Sequence, residues 1–340
     1  MSTLRRTASL VALAVAVVPL AVGVPAAAAP TGGSVGGPAA AVVPCLTDLG
    51  LTDLGPTNLA ARVKGERDVP HWRRHSDTGA VTQRDLEALP PRETRPAFVA
   101  RNVEPRLPAT VVIPVYAHVI KGRHRSEKTR VGPRRLRNLI TILNNGMGAR
   151  QSSLSANTRY RFTLVKADWT RRDSWYHAFF NGPRDQKMKR KLHRGNARTL
   201  NLYINGGGPR NKPILGWARF PWQYASAPFM DGVSLNVASL PGGRATGYNL
   251  GDTLIHETGH WLGLFHTFQG GCEAPGDLVA DTAAEEQPSF FCQTTRDTCP
   301  AEPGLDPVRN FMDYSLDACM NMFTPGQVLR MDAAFERWRL

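Results

Sequence analysis

The sequence predicts an α+β fold, and three observations carry that expectation. Short β-branched stretches alternate with amphipathic helical stretches between residues 109 and 265. Four of the five cysteines, Cys272, Cys292, Cys299 and Cys319, then sit in a loop-rich end. With 31 Gly and 26 Pro in 340 residues, the chain needs many turns.

The elements follow in order. Residues 110–120 (TVVIPVYAHVI) are β-branched and apolar and read as a strand. Pro133–Met147 places Leu136, Leu139, Ile140 and Leu143 at helical spacing. Residues 162–165 and 200–204 read as two further strands, with a short basic helix at 184–192 between them. Residues 214–220 and 233–238 are the last strand candidates, and 250–265 is the strongest helix in the chain. A closing helix spans 324–338. Thr324 is its N-cap, Pro325 its first helical residue and Gln327 completes a capping box.

The first 29 residues read as a secretory signal. Arg5 and Arg6 precede an apolar run at 10–23, and the small residues Ala26–Ala29 follow. The run is too short for a membrane span, and no internal stretch reaches the roughly 18 apolar residues that one needs. A secreted, extracellular protein without a membrane span in its mature form is therefore expected. Residues 30–106 are linker and pro-segment in texture: Gly/Ala/Pro-rich at first, then polar with many Arg. The catalytic domain is expected at 107–340, with an N-terminal subdomain at 107–266 and a C-terminal subdomain at 267–340.

The net charge is +14, unevenly spread. Residues 121–200 hold 21 Lys+Arg against 4 Asp+Glu, whereas 251–340 hold 5 against 14. The basic stretch lacks aromatics alternating with its cations, so a specific nucleic-acid partner is not expected. A solvated basic face or polyanion attachment remains.

Chemistry concentrates at 256–266, HETGHWLGLFH. His256 and His260 are one helical turn apart on one face, so both imidazoles can reach one zinc ion. Glu257 lies beside the first ligand, placed to act as general base on a water. Gly263 permits the left-handed turn that brings His266 back as a third ligand. Three protein ligands leave zinc an open position, which marks a catalytic rather than a structural site. A plain core helix is the competing reading, but three buried histidines and a glutamate would be costly without a metal.

This extended motif resembles the metzincin clan of zinc peptidases. The run 310–315 (NFMDYS) is similar to the clan's methionine turn, with Met312 as the methionine. Within the clan, the resemblance is to the pappalysin (cytophagalysin) family. It is carried by 256–268, 276–282 (GDLVADT), 304–315 (GLDPVRNFMDYS) and 319–328 (CMNMFTPGQV). It covers about 107–340 and does not cover 31–106.

The resemblance implies a metzincin-like fold: a twisted mixed sheet, a zinc-binding helix and a disulfide-bonded C-terminal subdomain. It implies a secreted zinc endopeptidase with His256, His260 and His266 as ligands and Glu257 as base. Tyr314 would bind the oxyanion that develops at the attacked carbonyl. Four cysteines allow three pairings; the resemblance implies Cys272–Cys299 and Cys292–Cys319. It also implies calcium after the zinc helix, where Asp277, Thr282, Glu285 and Glu286 offer hard oxygen ligands. The strand near 215–218 (LGWA) would pair with an extended peptide substrate, and the acidic end of the chain would favour basic side chains in it.

Cys45 is the odd cysteine. Its thiolate is suited to occupy the open zinc position and hold the enzyme latent. His118 reads as a core or rim histidine, and His177 and His193 as exposed. The alternative from another class is a catalytically weak zinc-fold protein that attaches to a polyanion or cell wall through its basic face.

Overall fold

The computed structural model describes residues 107–124, 130–211 and 213–340. The expected signal, linker and pro-segment (1–106), with Cys45, lie outside the described residues.

The scaffold is a five-stranded mixed sheet. Its strands are β1 (Val111–Lys121), β2 (Tyr160–Arg171), β3 (Leu200–Asn205), β4 (Gly216–Ala218) and β5 (Val233–Asn236). The spatial order is β2-β1-β3-β5-β4, so β2 and β4 are the edges. The first four in that order run parallel, and β4 runs antiparallel to β5, with Trp217 opposite Ser234. Strands β3 and β5 are buried throughout: Leu200, Leu202, Ile204, Val233 and Leu235 face the main core, and Asn201, Asn205, Ser234 and Asn236 alternate with them as buried polar residues.

Helices α1 (Pro133–Met147) and α4 (Asp252–Trp261) cover one face. Leu136, Leu139, Ile140 and Leu143 of α1 join Ile113, Val115, Leu202 and Leu235 of the sheet in the main core. Gly146 lets the two helices approach: a Cβ there would overlap the Ile255 side chain. Short helices α2 (Asp173–Tyr176) and α3 (Pro183–Leu192) pack a smaller core around Tyr203. After α4 the chain is mostly loop until α5 (Pro325–Trp338) closes the domain. Met331 and Phe335 of α5 complete the core that holds Leu254, Ile255 and Trp261.

Several elements differ in length from their sequence reading, for local reasons. The zinc helix is shorter than 250–265: Gly251 at φ +112° precedes its start, and Gly263 at φ +103° turns the chain after Trp261. Strand β4 keeps only three of residues 214–220, and Pro221 opens a 3-10 turn. Strand β5 stops at Asn236, whose side chain accepts from the Ala238 N–H at 3.0 Å and caps a 3-10 turn. Strand β2 runs well past residue 165 because it pairs with β1 along its whole length. Among the described residues, no helix is long and apolar enough to cross a membrane.

The N-terminus of α5 follows its sequence signature. Thr324 Oγ1 accepts from the Gln327 N–H at 3.1 Å, and Gln327 Oε1 accepts from the Thr324 N–H at 3.0 Å. Thr324→Ala should therefore lower unfolding free energy by about 1–2 kcal/mol, read from a urea titration; an unchanged midpoint would contradict the capping account.

Candidate metal centre

Three imidazoles meet at the end of α4. The Nε2 atoms of His256 and His260 are 3.1 Å apart, and those of His260 and His266 are 3.0 Å apart. The protonation of two of the rings is set from behind. His256 Nδ1 lies 2.6 Å from the Phe311 carbonyl, and His260 Nδ1 lies 2.8 Å from the Leu264 carbonyl. A carbonyl only accepts, so each Nδ1 carries the proton and each Nε2 turns a lone pair inward. Lone pairs at 3 Å repel unless a cation lies among them. Among the described residues, this triad is the one group of three or more His, Cys, Asp or Glu side chains with ligand atoms within 4.8 Å of one another. Three Nε2 atoms converging in a compact trigonal face suit zinc.

The chain geometry that delivers them is local. One turn of α4 separates His256 from His260. Beyond Trp261, the Gly263 N–H donates to the His260 carbonyl and the Leu264 N–H to the Gly259 carbonyl, closing the helix. The turned chain then returns His266 to the other two. Beneath them lies Met312, fully buried. Gly259, the small residue inside the motif, makes room for it: a Cβ there would overlap the Met312 sulfur. Asn310 Oδ1 accepts from the Met312 N–H at 2.9 Å and from Gln327 Nε2 at 3.0 Å, tying this turn to α5.

Glu257 is completely buried beside the triad and faces strand β4. A Cβ on Gly216 would come within 2.7 Å of its Oε1. The absence of a side chain at 216 thus fixes how closely the carboxylate lies against the edge strand. Tyr314 stands over the histidines, its ring 4.9 Å from that of His266 and 5.9 Å from that of His256. Phe268 stacks on His266 at 4.7 Å, and the Phe220 ring edge meets His260 at 5.4 Å. A small cavity of about 20 Å³ opens next to Glu257, bordered by Thr253, Asp313, Tyr314 and Asp317. Burial raises the pKa of both aspartates to about 6, though backbone N–H groups from Leu250 and Gly251 bond Asp317 and oppose the rise.

The other expected residues fall into separate places. The disulfides join Cys272 to Cys299 and Cys292 to Cys319. Thr282 Oγ1 lies 2.8 Å from both carboxylate oxygens of Asp277 and 2.8 Å from the Val279 carbonyl. One hydroxyl proton serves only one of those acceptors at a time, so the cluster is rich in oxygen. Glu285 turns away from it: Thr267 Oγ1 donates to it at 2.8 Å, and Arg296 pairs with it at 2.7 Å. Glu286 is exposed. His118 is buried on β1, with Nδ1 2.7 Å from Asp168 and Nε2 3.2 Å from Asn201 Oδ1, and is not part of the triad. His177 and His193 are half-buried, not exposed as their polar segments imply, because flanking apolar residues sink into the smaller core.

The comparisons with known proteins bear on this geometry. A family model described as "Pregnancy-associated plasma protein-A", peptidase family M43, matches residues 183–336. An extracellular metalloprotease of Colletotrichum graminicola is 37% identical over 236 residues, covering 68% of this chain and 78% of that protein. The chain belongs to the pappalysin family. A second pappalysin relative, an extracellular metalloprotease of Neurospora crassa, is 39% identical over 234 residues and covers 68% of this chain and 77% of its own length. Among solved structures, mature mirolysin of Tannerella forsythia in complex with a cleaved peptide superposes with a TM-score of 0.56 at 28% identity, covering 66% of this chain and 92% of that one. A promirolysin mutant from the same organism gives 0.61 at 25% identity, covering 78% and 94%. The protein is accordingly a zinc metalloendopeptidase with a metzincin fold.

The Asp277 carboxyl has a consequence for pH. Burial raises its pKa to about 7, against about 3.9 in an unfolded chain. Between these values the folded state holds a proton that the unfolded state releases. Its contribution to stability is full below about pH 4 and is lost as pH rises through about 7. Asp277→Asn should flatten the thermal midpoint between pH 4 and 7; an unchanged slope would contradict this assignment.

Proposed function

We propose that the protein is a secreted endopeptidase, made as a latent zymogen, that hydrolyses peptide bonds of extracellular proteins. The reading rests on one observation: three converging Nε2 atoms, two of them with their lone pairs set inward, beside a buried glutamate at the open edge of a sheet. In this proposal His256, His260 and His266 hold zinc. When bound, the ion polarises the scissile carbonyl and makes a water nucleophilic at neutral pH.

The chain's own residues do the rest. The Glu257 carboxylate takes a proton from the attacking water and passes it to the leaving amine nitrogen. The Tyr314 hydroxyl donates to the oxyanion as it forms. The substrate backbone lies along β4, whose outer edge has no strand beside it among the described residues. The 107–340 region is the catalytic domain, divided after His266. Glu257→Gln should lower kcat by at least about 100-fold with zinc content unchanged. Retained turnover would exclude Glu257 as the base.

The excess of acidic side chains in residues 251–340, with Asp313 and Asp317 bordering the space beside Glu257, supports a preference for basic side chains. A peptide library should show Arg and Lys enriched next to the cleaved bond. Enrichment of acidic or apolar residues instead would overturn that preference. Calcium fits the Asp277–Thr282 cluster, where hard oxygen atoms crowd together and the ion would take the place of the carboxyl proton; added calcium should abolish the pH slope that Asp277 produces.

Latency is assigned to residues 30–106, with the Cys45 thiolate in the position that water takes in the active enzyme. Cys45→Ala should give activity before any cleavage of the pro-segment, measured on the secreted protein without trypsin. Equal latency in that variant would remove Cys45 from the mechanism.

A further inference from the structure

The turn after α4 carries two of the three histidines' constraints. Its Leu264 carbonyl orients His260, and its path delivers His266. Its remaining carbonyls need partners, since the last C=O groups of a helix have none within it. Two arginines at the far end of the chain supply them. Arg339 donates to the Trp261 carbonyl from Nε at 3.1 Å and from Nη2 at 2.8 Å. Arg330 Nε donates to the Gly263 carbonyl at 2.9 Å.

Both guanidinium groups are themselves held. Arg339 is 1% exposed and lies 3.5 Å above the Trp261 ring. Its Nη1 meets Asp231 Oδ2 at 3.1 Å and the Ala197 carbonyl at 2.8 Å. Asp231 Oδ2 also accepts from Trp261 Nε1 at 3.0 Å, so one carboxylate locks the indole and the arginine together. Arg330 lies over Phe265 at 4.6 Å, and Phe265 packs on Phe220, whose ring meets His260 edge-on. At Gly263 the closing helix is in direct contact: a Cβ there would come within 2.7 Å of the Ala334 Cβ. Two positive charges therefore sit at the negative end of the zinc helix, each bonded to a carbonyl of the turn.

We propose that Arg339 and Arg330 are positioning residues of the metal centre, fixing the turn that carries His260 and His266 and so setting zinc affinity. This rests on the triad being the zinc site. The physical reason is preorganisation: groups that orient metal ligands typically change metal affinity 10- to 100-fold when altered. A planar guanidinium bonds a carbonyl and a carboxylate at once, whereas an ammonium does not reproduce that fork.

The test is a zinc competition titration against a chelator, with the cobalt(II) absorption spectrum as a second readout. The variants are Arg339→Lys, Arg330→Lys, and the double change Asp231→Asn with Arg339→Gln, which leaves no lone buried charge. Circular dichroism and the thermal midpoint of each metal-free protein report folding. The expected result is a fall in zinc affinity of at least about 10-fold in each variant that keeps the wild-type fold. The cobalt bands should shift as well. Wild-type zinc affinity and an unchanged cobalt spectrum in Arg330→Lys and the double variant would overturn the proposal, whatever their thermal midpoints. Failure of the wild-type chain to bind zinc at all would instead strike the triad reading beneath it.

Discussion

Two hydrogen bonds set the terms for everything else in the site: His256 Nδ1–H to the Phe311 carbonyl and His260 Nδ1–H to the Leu264 carbonyl. Each fixes a tautomer, and each draws its acceptor from a different part of the chain. Leu264 belongs to the turn that ends the zinc helix. Phe311 belongs to the turn above Met312, some fifty residues later. The closing helix must therefore hold both turns in register with α4. It does so through Gln327 on Asn310 and through Arg330 on the Gly263 carbonyl. A scaffold that let either turn drift would rotate an imidazole and spread the lone pairs that face the metal.

The sheet positions the remaining chemistry. Its inner strands β3 and β5 are buried throughout, and its antiparallel edge, β4, lies against Glu257. Gly216 is where strand and carboxylate meet, and its missing side chain sets their separation. Charge follows the same division. The basic residues concentrate in 121–200 and the acidic ones beyond 251, where Asp313 and Asp317 are buried near the site and Asp277 in its own cluster, all with raised pKa values. Burial is the common cause, and cations, bound metal or basic substrate groups, are what relieve it.

Much of the site was legible because its spacing is local. Histidines four apart, a glycine three further on and a capping box at Thr324 are short-range signals with direct structural consequences. The helix at Pro133–Met147 was legible for the same reason, with four apolar residues on one face. What stayed hidden depends on long-range contacts. Nothing in the sequence distinguishes Arg339 from other arginines, yet it is buried against Asp231 and Trp261. Asn310 and Gln327 pair across 17 residues of irregular chain. Gly216 reads as an ordinary strand glycine until Glu257 is placed beside it. The lengths of β2 and β4 were misread in opposite directions, because one is set by its partner strand and the other is cut short between turns.

The central claim is that these three imidazoles form one zinc-binding face and that none is dispensable. It is tested most directly by metal content of the purified protein, wild type against His266→Asn, after dialysis against a weak chelator. The account predicts about one zinc ion per chain in the wild type and strongly reduced zinc in the variant at unchanged circular dichroism. Full zinc retention without His266, or no zinc in the wild type, would contradict it.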